Sequence, residues 1–135
     1  MIDIKKLDQD LTDLVKKKIA LSKLTYADEN YDAIEEELHD AEDDFLENYG
    51  EYMEDALAQV HDEFCPDSDV LLPIAYLADE YIVDGDTIEV APGNGVLVEA
   101  DDFESSQVYL ALAPKPTRIV LQAGKDHKEV VWTAK

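Results

Sequence analysis

Residues 28–64 read DENYDAIEEELHDAEDDFLENYGEYMEDALAQVHDEF and run into CPDSD at 65–69, and the fold is decided at that junction. Upstream of it, Tyr31, Ile34, Leu38, Ala41, Phe45, Tyr49, Tyr52, Ala56 and Val60 recur in steps of three and four, close to the helical period of about 3.6 residues. A single apolar stripe on one long helix follows. Asp28 suits the N-cap and Glu29 the first turn, where carboxylates meet the positive end of the helix dipole. Gly50 does not interrupt the apolar phase, so the helix is expected to continue through it, with a bend there.

Downstream, Pro66 cannot extend a helix and Asp67-Ser68-Asp69 favours turn geometry, after which the apolar period falls to two. Expected strands are Leu71 to Ala75, Tyr81 to Val83, Thr87 to Ala91, Val96 to Ala100, Val108 to Ala113, Thr117 to Gln122 and Glu129 to Thr133. Within 70–82 the alternative is a short helix over Leu71 to Leu77. Pro92-Gly93-Asn94-Gly95 is a hairpin signal, because Asn and Gly accept positive φ; Asp84-Gly85-Asp86 and Ala123-Gly124-Lys125-Asp126 are further turn signals. Closely spaced strands with short connections predict an antiparallel meander.

Before the long helix, Ile4, Leu7, Leu11, Leu14 and Leu21, flanked by Val15, form a second helical stripe. Lys18 falls on that stripe, where its aliphatic stem lies along apolar surface while the ammonium reaches water. The short connection between the two helices predicts an antiparallel pair. The fold expected is therefore α+β: an N-terminal antiparallel helical hairpin, about 3–23 and 28–64, packed on a C-terminal antiparallel β-sheet meander. One domain over 1–135 is expected, with the hairpin in 1–65 and the β-rich part in 66–135.

The two helices differ in reach, at roughly 30 Å against roughly 55 Å for about 1.5 Å per residue. Around Phe45 to Phe64 the longer helix outruns its neighbour, and Leu46, Tyr49, Tyr52, Met53, Leu57 and Val60 need another cover. The sheet is one candidate. A second copy of the chain, giving a homodimer, is the other.

Charge narrows the function classes more than any motif does. The formal net charge is −22, and residues 28–64 contribute sixteen Asp and Glu with no Lys or Arg. Phosphate contacts with nucleic acid need clustered bases, and Arg118 is the one arginine; an anionic membrane surface is disfavoured for the same reason. The opening residues lack the apolar core of a signal peptide, and the longest uncharged apolar run, Val70 to Ala78, is far short of a membrane span. A cytoplasmic location is expected.

On the long helix, Glu29, Asp32, Glu36, Asp40, Asp43, Glu47, Glu51 and Glu54 follow steps of three and four opposite the apolar stripe. They form an acidic ridge roughly 37 Å long. Like charges so spaced cost about 1 to 3 kcal/mol over the ridge. These eight are the candidate partner-binding residues, with a cationic protein as partner. A solubilising face on a structural subunit is the competing account.

Catalytic and metal chemistry find little support. Glu36-Glu37-Leu38-His39 holds one Glu-x-x-His step, which di-iron carboxylate bundles use twice, and His61 lacks the matching Glu. A histidine alone on so acidic a helix is expected at the surface beside a carboxylate. Asp67-Ser68-Asp69 and Asp84-Gly85-Asp86 carry only fragments of a calcium loop. Cys65 is the single cysteine, too few for a Cys-based zinc site or an intrachain disulfide, and is expected to be an inert thiol. No serine sits in a nucleophile elbow. No catalytic residue, cofactor or metal ligand is assigned, and a carboxylate-based enzyme is the least favoured account. In helix lengths, acidity and size the chain is similar in general character to secretion chaperones, toxin-neutralising immunity proteins and DNA mimics. No shared motif carries a residue role across.

Overall fold

The computed structural model of the chain describes residues 2–100, 107–124 and 127–134. It is an α+β structure: helices α1 (Ile4–Ser22) and α2 (Tyr31–Phe64), then strands β1 (Tyr81–Asp84), β2 (Thr87–Val90), β3 (Val96–Val98), β4 (Val108–Ala113), β5 (Arg118–Ala123) and β6 (His127–Thr133). The strands form an antiparallel β3-β4-β5-β6 meander and a separate β1-β2 pair.

Asp3 starts α1, its carboxylate accepting from the Lys5 and Lys6 N–H groups. Helix α2 begins three residues later than expected. Asp28 does not cap it, because its carboxylate is taken by the Thr25 N–H at 2.7 Å within the connecting turn; Asn30 is the N-cap and makes no side-chain cap bond. From there the helix runs unbroken through Gly50 to Phe64.

Register shows which side of the meander each residue serves, since opposed residues share a face. Ile119 is opposite both Leu112 and Trp132, and Leu121 opposite Leu110, so these form one face. Trp132 meets Tyr52 of α2, with ring centroids 5.8 Å apart, which marks this as the helix side. The opposite face holds Arg118, Val120 and Gln122 together with Ala111 and Ala113. Small alanines let the β1-β2 pair approach, and Arg118 and Gln122 donate to the Ile88 and Val90 carbonyls of β2. The result is three layers: helical hairpin, four-stranded sheet, two-stranded hairpin.

Pro92–Gly95 is not a β-hairpin, contrary to its turn chemistry. It carries the chain from β2 in one sheet to β3 in the other. The Asn94 side-chain oxygen accepts from the Asp79 and Glu80 N–H groups, and Gly93 N–H donates to Gln122, so the turn is held by distant elements. Gly95, at φ +116°, presses so closely on the Leu110 carbonyl that a Cβ would collide with it.

The expected strand Leu71 to Ala75 is replaced by a short 3-10 helix, Pro73–Tyr76, as the helical alternative for that segment allowed. Proline pre-sets φ at its start. Of the expected turn Ala123 to Asp126, Lys125 and Asp126 lie outside the described residues.

The apolar stripe of α2 beyond the reach of α1 is covered within the chain. Phe45, Tyr49, Met53, Ala56, Leu57 and Val60 are all buried, in one cluster with Tyr76, Leu112 and Ile119. Of the residues named for a homodimer surface, Tyr49, Met53, Leu57 and Val60 are buried within the chain, while Leu46 and Tyr52 stay partly exposed.

Candidate functional site

Helix α2 divides its residues by angle. One side is buried, and on the other Asp32, Glu36, Asp40, Asp43, Glu47, Glu51 and Glu54 are exposed; Glu29, also exposed, lies in the turn just before the helix. The seven helical carboxylates span roughly 33 Å at about 1.5 Å per residue. Among the described residues none of the eight forms an ion pair. The lysines of α1 are committed elsewhere or lie off the ridge: Lys6 binds Asp10 at 3.1 Å, and Lys18 lies 3.9 Å from Asp79, its stem partly buried along the seam. The ridge is therefore an extended negative surface on a stiff rod, uncompensated by the groups around it.

The flanks of α2 are polar but tightly bonded. Tyr49 O–H donates to Asp10 at 2.6 Å, joining the two helices, and burial followed by this contact pushes the phenol up to about 12. Between α1 and α2 lies a cleft of about 250 Å³ with Lys6, Lys17, Asp13 and Asp44 around its mouth. A second cleft, about 380 Å³, opens between α2 and β6 and is lined by Tyr52, Asp55, Ala56, Gln59, Trp132 and Thr133.

His61 departs from the expectation of a surface histidine beside a carboxylate. It is 2% exposed, with Nδ1 2.9 Å from the Ser68 carbonyl and Nε2 2.8 Å from the Tyr76 hydroxyl, which in turn accepts from the Leu71 N–H at 3.1 Å. A carbonyl only accepts, so Nδ1 carries a proton, and in the neutral ring Nε2 then accepts from Tyr76. The role is structural: it clamps the segment after α2 to the helix. Its partners lie seven and fifteen residues away, in a segment without periodicity, so the sequence held no signal for it.

Cys65 is buried, and burial raises its thiol to about 11, which leaves the nucleophilic thiolate scarce near neutral pH. Among the described residues no three His, Cys, Asp or Glu side chains stand close enough to hold a metal ion. His39 is exposed on α2. Asp67-Ser68-Asp69 and Asp84-Gly85-Asp86 sit in turns; the Ser68 hydroxyl accepts from the Glu99 N–H, and the Asp84 carbonyl accepts from the Thr87 hydroxyl. No described helix is long and apolar enough to cross a membrane.

One ion-pair cluster lies apart from the ridge. Glu89 on β2 is reached by Lys128 of β6 at 3.0 Å and by Arg118 of β5 at 3.3 Å. Burial alone would raise the Glu89 carboxyl, but the two cations together outweigh it and hold it below its ordinary range. Compared with known proteins, the chain matches no family model, no curated protein and no solved structure.

Proposed function

We propose that the protein is a non-enzymatic binding protein whose acidic α2 face, from Glu29 to Glu54, receives a cationic protein partner, in the manner of a chaperone, inhibitor or immunity protein. One observation carries the proposal: seven exposed carboxylates stand along one rod, with the exposed Glu29 just before it, and none of the eight forms an ion pair among the described residues. Such a field accelerates encounter with a basic surface more than it deepens the final complex. A cytoplasmic setting fits a lone buried thiol kept reduced.

Capture from the source cell's lysate at low and high salt identifies the partner, since a charge-steered complex weakens as salt rises. The decisive step is kinetic. Lysine at Glu36, Asp40, Glu47 and Glu51 together is expected to slow association at low salt by about tenfold or more and to change dissociation less. An unchanged association rate would identify the ridge as a solubilising face on a structural component.

A further inference from the structure

The ridge is a general attractant, whereas the border between α2 and the sheet carries a more specific arrangement. Strand β6 is the last in the order β3-β4-β5-β6, and among the described residues no strand pairs with its outer edge. A free edge presents a row of backbone donors and acceptors ready for another extended segment.

The side chains along that edge are sorted by a bulge. Ile119 is opposite Trp132 and Val120 opposite Val130, so Val131 is the extra residue. Without it Trp132 would share the face of Val130. With it, His127, Glu129 and Trp132 lie on the helix side, opposite Ala123, Leu121 and Ile119, while Lys128 and Val130 lie on the other.

The helix side is suited to a cation. Trp132 and Tyr52 meet at a ring interplanar angle of 62° and wall the 380 Å³ cleft, with the exposed Asp55 carboxylate and the Gln59 amide across from them. Among the described residues the Tyr52 hydroxyl, the Trp132 indole N–H, Asp55 and Gln59 have no hydrogen-bond partner. Aromatic faces beside a carboxylate are the usual surroundings of a bound lysine or arginine side chain. The other side of β6 differs: Lys128 is already paired with Glu89, and Val130 is 53% exposed. A second base there meets a cation. An apolar side chain covers Val130.

We propose that β6 is a docking edge for an extended segment of a basic partner, which adds as a strand and lays a lysine or arginine into the Tyr52–Trp132–Asp55 cleft. Its sequence alternates basic and apolar residues, because neighbours on an added strand point to opposite faces. The net charge of −22 selects a cationic segment over a second copy of this chain, which would bring another −22 to the same place. This rests on the proposed preference for cationic partners but locates recognition beyond the ridge.

The probe is a short acetylated peptide alternating lysine and valine, titrated into the full chain with amide NMR shifts as the readout. Expected are saturable shifts concentrated at His127 to Thr133 and at the Trp132 indole N–H. N-methylating the backbone of the peptide at alternate residues should weaken it by roughly tenfold, since charge is kept and strand pairing is lost. Asp55→Asn and Tyr52→Leu, both at a partly open surface, should each weaken it by about threefold, and the unbound spectra establish that both variants remain folded. Equal affinity of the N-methylated peptide, shifts confined to α2, or no saturable binding up to about 1 mM would each overturn edge docking. The two proposals separate cleanly. A peptide that tolerates N-methylation but loses affinity for the four-lysine ridge variant removes the edge and keeps the ridge; a β6-bound partner whose association rate ignores that variant does the reverse.

Discussion

His61 and Tyr76 form a buried pair in which each imidazole nitrogen has one partner and the Tyr76 hydroxyl two, and that completeness sets what a substitution does. In Tyr76→Phe the ring stays, but His61 Nε2 and the Leu71 N–H lose their only partner. Stability is expected to fall by about 1 to 3 kcal/mol, more than a neutral hydrogen bond contributes, because the buried His61 Nε2 is left unpaired. Urea unfolding of the variant checks it; a loss under about 0.5 kcal/mol would mean that water replaces the hydroxyl. Two other phenols set an alkaline limit. Burial raises both Tyr49 and Tyr81 to about 12, for Tyr81 against the Ala78 N–H and Arg118, which favour its ionised form. A phenol raised in the folded state contributes stability that is intact below the ordinary value of about 10 and lost as pH rises toward the folded value. Unfolding monitored by far-ultraviolet circular dichroism should therefore show a decline between pH 10 and about 12 that is smaller in Tyr81→Phe. None of these roles was legible beforehand. A tyrosine on a stripe reads as packing, and its hydroxyl partner lies on another element.

Elements were far more legible than residues. One-sided burial gave α1 and α2 their helical period, while β4 and β5, buried on both faces, showed as short apolar runs between turn signals, β4 at the residues where it lies, Val108–Ala113. Errors had two sources: a competing local bond, where Asp28 accepted from Thr25 within its own turn instead of capping, and long-range bonds, where Pro92–Gly95, with good hairpin chemistry, was recruited by Asp79, Glu80 and Gln122. Gly50 yields a prediction at this scale. It lies inside α2, and a Cβ there would meet nothing within 4 Å. Gly50→Ala is expected to stabilise by up to about 1 kcal/mol, the helix-propensity difference, and to raise Tm by a few degrees. Calorimetry measures it, and a lower Tm would show that α2 needs the glycine for a purpose that packing does not reveal.

For the whole molecule, charge outweighs most single contacts. Carboxylates on α2 repel one another across distances comparable to the Debye length, about 8 to 10 Å at moderate salt. Tm should therefore rise with sodium chloride, and the four-lysine ridge variant should be at least as stable as the parent while responding less to salt. A Tm indifferent to salt in the parent would place the repulsion below what the helix feels. The ridge itself was legible because it needed only sequence and helical geometry. The cleft beside β6 was not: Tyr52 and Trp132 are brought together by a bulge and by the strand pairing that places β6 beside α2, which no local pattern encodes. One contact reaches farther still. Asp8, in the first helix, accepts from the Lys115 N–H at 2.8 Å and from the Thr117 hydroxyl at 2.9 Å, across 107 and 109 residues. During synthesis the helices emerge well before that turn exists. At about 5 to 20 residues per second, the stretch from Phe64 to Arg118 takes roughly 3 to 11 s, during which Met53, Leu57 and Val60 have no sheet to cover them. Neighbouring nascent chains on one messenger each present the same bare stripe backed by sixteen carboxylates. Two such stripes meet only by bringing those carboxylates within a Debye length of one another, an encounter that low salt disfavours.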